Sequence, residues 1–182
     1  MSCHVLCNAA GDIEMWDAQP FPGSVEVDYE VVHGWDGRLY KAGEEPKRPV
    51  DSIVEEKRAA IDADTSSAIT AGFEYAVDGV SYHFSYDSFD QQNFADTANV
   101  ALLAQMGGKG LPESVAWNAY KNWKDGQGEL VRLTFTAESF LALYTGGAVA
   151  HKAARMAEGG ARKAALAEAV ARGAKAEELE AI

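Results

Sequence analysis

The chain has 182 residues, of which 47% are hydrophobic and 24% charged, with a formal net charge of −12 and a pI near 4.7. That apolar content suffices for the core of one large domain or two small ones and excludes general disorder. The acidic surface repels phosphate backbones and anionic lipid, and no run approaches the roughly 20 apolar residues of a membrane span, so neither nucleic acid nor membrane is an expected partner.

The N-terminus lacks the basic and apolar regions of a secretory signal, so a soluble protein made and kept in a cytoplasm is expected. Cys3 to Cys7 and Ile13 to Trp16 read as short strands around a Gly11-Asp12 turn. On a strand Cys3, Val5 and Cys7 share one face, as small apolar residues entering a core do. A zinc site needs about four ligands, and no second Cys or His cluster follows His4, so no metal is expected. Residues four apart on a strand also lie beyond disulfide reach. Val25, Val27, Tyr29 and Val31 alternate with Glu26, Asp28 and Glu30, which predicts one half-buried strand. Asp36-Gly37 predicts a hairpin between His33-Gly34-Trp35 and Arg38-Leu39-Tyr40. Core or edge packing is the simpler reading of Trp16 and Trp35 than ligand stacking. Gly43 to Pro49 is charged, holds two prolines and has no apolar residue. It reads as a break, giving a β-rich segment over residues 1–46, a linker over 47–50 and an α+β domain over 51–182.

A helix is expected over 51–71. Ser52 and Glu55 have capping-box spacing, Ile53, Ile61, Ala68 and Ile69 form a stripe interrupted by Lys57 and Thr65, and Gly72 stops it. The charges Glu55, Glu56, Lys57, Arg58, Asp62 and Asp64 read as a solvated face. The period then switches to two. Phe73, Tyr75 and Val77, an Asp78-Gly79 turn, and Val80, Tyr82, Phe84 and Tyr86 predict a hairpin with an aromatic face and a polar face, with His83 on the polar side. Asp87 and Ser88 cap a helix over 88–105, which Gly107-Gly108-Lys109-Gly110 ends. That glycine-rich loop leaves a helix C-terminus, the wrong dipole end for a phosphate.

Trp117, Ala119 and Lys121 alternate with Asn118 and Tyr120. Trp123, Asp125-Gly126-Gln127-Gly128 and Leu130 to Phe135 follow, predicting a second hairpin. Thr136 caps a helix beginning near Ala137. The remainder is alanine-rich and helical, with Phe140, Tyr144, Ala148 and His151 on one face. Gly146-Gly147 is a weak point, and a bend or break is expected at Gly159-Gly160. Gly173 ends the next helix, and Ala176 to Ile182 form a last turn. The architecture expected is α+β, with helices packed on antiparallel sheet.

No nucleophile elbow, zinc helix motif or dinucleotide fingerprint is present. His4, His33, His83 and His151 sit in no catalytic motif, and His151 reads as a packing histidine. Asp87 and Asp90 are explained by the helix start, and Asp62-Ala63-Asp64 lacks the glycine and glutamate of a calcium loop. No catalytic residue, cofactor or metal is expected. The aromatic set Trp117, Tyr120 and Trp123 is the one binding candidate. Packing against the last helix is its simpler reading, and stacking on receptor sugar rings is the alternative.

The ordered series Lys57-Arg58, Ile69-Thr70-Ala71-Gly72-Phe73-Glu74-Tyr75, Asp78-Gly79 and Phe84-Ser85-Tyr86-Asp87-Ser88-Phe89-Asp90-Gln91-Gln92-Asn93-Phe94 resembles an uncharacterised domain of tail-fibre and tail-fibre-assembly-type proteins of tailed phages and prophages. Trp117, Leu133-Thr134, Ala137-Glu138-Ser139-Phe140 and His151 extend the likeness over about residues 50–182. The resemblance implies a non-enzymatic tail-fibre structural or assembly protein, with a receptor- or glycan-binding module at the tail tip as the alternative and a cell-wall hydrolase as the remote one. It implies other tail proteins as partners, a homo-oligomer, and residence in the bacterial host cytoplasm during assembly or in the virion tail.

Overall fold

A computed structural model of the protein describes residues 2–110 and 112–182. It is an α+β structure with two antiparallel sheets, and its residues fall into two compact units. One holds the residues up to Val54 with Lys175–Glu177; the other holds Glu55–Ala174 with Glu178–Ile182.

In the first unit the strands β1 (Cys3–Cys7), β2 (Ile13–Asp17), β3 (Val25–Val27), β4 (Val31–His33) and β5 (Leu39–Lys41) form a sheet in the order β3-β1-β2-β5-β4. The β1–β2 turn is tied by Asn8, whose Oδ1 accepts from the backbone N–H groups of Ala10 and Asp12 at 2.9 and 3.0 Å. The single strand expected across Val25 to Val31 is two strands. β3 pairs with β1 and β4 with β5, at opposite edges of the sheet, so the chain must leave the ladder between them. A bulge between Leu6 and Cys7 likewise breaks the shared face expected of Cys3, Val5 and Cys7: Cys3 and Val5 are buried and Cys7 is exposed. Both thiols are free, and the Cys3 Sγ–H donates to the Tyr29 carbonyl at 3.3 Å. Trp16 and Trp35, expected to pack, are 42% and 48% exposed and lie outside the small sheet cluster of Cys3, Val5 and Val31.

The helix α1 (Val50–Thr70) follows, and the division between the units falls within it. In the second unit, β6 (Phe73–Val77) and β7 (Val80–Phe84) form the predicted hairpin, with Phe73 opposite Phe84 and Tyr75 opposite Tyr82. Asp78 and Gly79 both have positive φ, 51° and 79°, the turn whose twist matches that of the strands it joins. The helix α2 (Ser88–Gln105) is N-capped by Asp87, which accepts from the backbone N–H groups of Phe89 and Asp90 at 2.8 Å each. The long strands β8 (Ser114–Lys124) and β9 (Gln127–Thr136) complete a sheet in the order β6-β7-β8-β9. Thr136 caps α3 (Ala137–Leu143) by accepting from Ser139 N–H. A π-helical turn (Tyr144–Val149), α4 (Ala150–Ala171) and α5 (Ala176–Glu180) finish the chain.

One face of this sheet carries the core. Phe73, Phe84, Phe94, Phe135 and Phe140 are buried there with Tyr82, Tyr86 and Leu143. Phe94 of α2 has ring centroids within 5.8 Å of Phe73, Tyr86, Trp117 and Phe140. Its period-two neighbours on the strands and its helical neighbours on α2 and α3 thus meet at one place, as the alternation predicts.

The two glycine pairs behave differently, each for a steric reason. At Gly146-Gly147, the expected weak point, the α-helical pattern gives way to a π-helical turn. A Cβ on Gly147 would lie 2.5 Å from Phe73 Cε2, so only glycine admits that ring. At Gly159-Gly160 helix α4 is unbroken. Gly159 is buried, and a Cβ there would collide with Thr65 Oγ1 of α1, so it lets two helices approach closely. Thr65 and Lys57, the apparent interruptions of the α1 stripe, therefore make contacts of their own. Thr65 meets Gly159, and Lys57 Nζ donates to the Glu180 carbonyl. Asp62 and Asp64 lie on the solvated face, as expected, and there accept from Lys163 and Arg162 of α4. Such exposed pairs contribute little stability individually.

Candidate functional site

Strand β8 is longer than its neighbour. β7 pairs with it at His83–Tyr120, after which the chain turns away through Ser85 and Asp87 into α2. The stretch Ala116–Asn118 of β8 and the first turns of α2 therefore bound a groove of about 410 Å³. The helix wall presents Phe89, Asp90, Asn93 and Thr97. The strand wall presents Trp117, Asn118 and Tyr120, with Arg132 of β9 beside Asn118, its register partner. Phe89 is 74% exposed and has no aromatic contact among the described residues. Asp90 accepts from the Ser85 hydroxyl. The side chains of Asn93, Asn118 and Arg132 make no hydrogen bond or ion pair among the described residues, so their donors and acceptors are open to a ligand. Chemically the groove offers aromatic surface, two amides, one carboxylate and one guanidinium.

The aromatic set singled out in the sequence is divided. Trp117 lies toward the core face, its ring centroid 4.4 Å from that of Phe94 and 5.1 Å from that of Phe140. Tyr120 is on the other face, opposite Leu130. Strict alternation would return Trp123 to the core side. A bulge between Lys121 and Lys124, with Asn122 at φ 51°, turns it to the outer face instead. Trp123 there stacks on His83, with centroids 4.0 Å apart and planes 3° from parallel. Trp117 and Tyr120 line the groove; Trp123 does not.

That stack also changes the place of His83. It sits on the polar side of its hairpin, as expected, yet it is 6% exposed because Trp123 covers it. Its Nδ1–H donates to Glu74 Oε1 at 3.2 Å. Burial lowers the His83 pKa below the ordinary 6.5, and the Glu74 carboxylate opposes that shift. His151 is a packing histidine. Its Nε2–H donates to the Ile69 carbonyl at 3.1 Å, and its ring lies against Phe73 and Tyr86. A second hollow, of about 520 Å³, lies between Gly72 and the π-helical turn, beside His151 and Arg155. Among the described residues no group of three His, Cys, Asp or Glu side chains converges as metal ligands would. Among the described residues no helix is long and apolar enough to cross a membrane.

Fold and groove together define an α+β module whose antiparallel sheet is covered on one face by helices and open to a ligand at one strand edge. The chain belongs to the family described as a domain of unknown function (DUF4376), whose profile matches residues 53–182. No curated protein and no solved structure matches it.

Phe89, Asn93, Asn118 and Arg132 were not singled out by sequence reasoning. Phe89 held the one available signal: a phenylalanine in the first turn of a helix whose apolar stripe begins at Phe94 has no core position to fill.

Proposed function

We propose that the protein is a non-enzymatic component of a bacteriophage or prophage tail, acting in tail-fibre structure or assembly. The observation that carries this reading is the ordered motif series from Lys57 to Phe94, continued by Trp117, Leu133-Thr134 and His151, which resembles tail-fibre-associated proteins. In this reading residues 1–46 are a β-rich segment that attaches to or extends a neighbouring tail protein. Residues 47–50 are a linker, and 51–182 are the folded module. The partners are other tail proteins and copies of the chain itself, since tail parts assemble on symmetry axes. The site of action is the bacterial host cytoplasm during assembly and the virion tail after incorporation. The engagement of His83 by Trp123 and Glu74, and of His151 by the Ile69 carbonyl, supports a non-catalytic role, because both rings are committed to packing and fixed partners.

The test is solution mass by light scattering combined with co-purification from cells expressing a complete tail operon. A symmetric oligomer, or stoichiometric recovery with tail-fibre or baseplate proteins, is expected. A strict monomer recovered with no tail protein refutes the assignment.

A further inference from the structure

We propose that the groove between α2 and β8 is a binding site for an uncharged pyranose ring of a surface glycan. This assignment rests on the groove and not on the tail reading, so each can fail alone.

Phe89 carries the first part of the argument. A phenylalanine 74% exposed in a capped first turn contributes nothing to the core and keeps its ring in water. The cap fixes the backbone from which that ring projects, because Asp87 holds the Phe89 and Asp90 N–H groups at 2.8 Å. Tyr120, half-buried on the strand wall, presents a second ring. A pyranose has an apolar C–H face and a rim of hydroxyls. Aromatic faces accept the former by burial of apolar area with little loss of side-chain entropy.

The rim is met by Asp90, Asn93, Asn118 and Arg132. Adjacent ring hydroxyls each donate one hydrogen bond and accept others, which suits a carboxylate, a guanidinium fork and amides that do both. Among the described residues Asn93, Asn118 and Arg132 have no competing partner to give up, so binding displaces water from them. The ligand is uncharged because Asp90 offsets Arg132 within the groove, and the chain as a whole carries a net charge of −12, which repels acidic sugars.

The full-length protein is applied to an array of neutral hexose and N-acetylhexosamine oligosaccharides alongside sialylated and uronic-acid glycans. The strongest neutral oligosaccharide is then titrated calorimetrically. Phe89→Ala and Arg132→Ala should each weaken it at least about tenfold. Both side chains are exposed, so circular dichroism should be unchanged. Met156→Ala, an exposed side chain of α4 outside the groove lining, should leave affinity as in the wild type. The proposal is overturned by absence of neutral-glycan binding, by binding of acidic glycans alone, or by affinity that Phe89→Ala and Arg132→Ala do not move. Loss on Trp123→Phe without loss on Phe89→Ala overturns it too, by moving the site to the His83 stack.

Discussion

Adjacent glycines in α4 should respond to alanine with opposite sign. Gly160 has nothing within 4 Å of the position a Cβ would take. Gly160→Ala should therefore show only the gain in helix propensity, stabilising by about 0.5–1 kcal/mol. Gly159→Ala gains the same propensity but places its methyl against Thr65 of α1. Rotating Thr65 is costly: it moves the colliding Oγ1 off its bond to the Ile61 carbonyl at 2.7 Å and leaves the Thr65 Cβ 3.3 Å from the new carbon. Overpacking of this kind costs about 1–3 kcal/mol, so the net effect should be destabilisation of roughly 0–2 kcal/mol. Urea unfolding followed by helical circular dichroism measures both. For a chain of this size each kcal/mol also moves Tm by about 2–4 °C. Thr65→Ala removes both γ atoms and should rescue Gly159→Ala, with a double-mutant coupling of at least about 0.5 kcal/mol. Equal stabilisation by the two alanines, or zero coupling to Thr65, would refute close helix contact as the reason for Gly159.

Three other outcomes are expected. Asp87→Ala removes the acceptor for two N–H groups at the start of α2 and should destabilise by about 0.5–2 kcal/mol, while Asp87→Asn should retain most of the cap. Phe94→Ala, at 0% exposure among four rings, should cost about 3–5 kcal/mol in chemical unfolding. His83 has a folded-state pKa below its unfolded value, so the unfolded chain takes up the proton more readily. Its stabilising contribution is present above the unfolded pKa and is lost as pH falls through the depressed folded one; stability should therefore drop more in wild type than in His83→Gln between about pH 7 and pH 5.

Where local chemistry decides the structure, the sequence was readable. Asp78-Gly79 carries its turn in its own backbone preference, and Asp87 and Thr136 start helices with their own side chains. The period-two runs around Phe73 and Tyr82 and the stripe around Phe94 needed no knowledge of their partners to be assigned. Where a distant residue decides, it was not readable. Gly159 looks like a helix breaker until Thr65 is seen beside it, and the need for glycine at Gly147 is visible only once Phe73 fills the space. The Val25–Val31 alternation is a sound strand pattern, but alternation does not say which edge of a sheet each end will join, and here the ends join opposite edges.

The same distinction explains the groove. A period-two reading of β8 assigns Trp117 and Trp123 to one side and Tyr120 to the other. One left-handed residue, Asn122, invalidates the count for everything after it and sends Trp123 to His83. The groove itself arises from a difference in length: β7 ends at Phe84, while β8 continues past that level to Ser114. Neither strand's sequence states the length of the other, so the uncovered edge, and the gathering of Phe89, Asn93, Asn118 and Arg132 around it, exist only once the hairpins are paired. Phe89 is the exception that links the two levels. It breaks the binary pattern of its helix, and a break without a packing reason is where a ligand-facing residue should be sought.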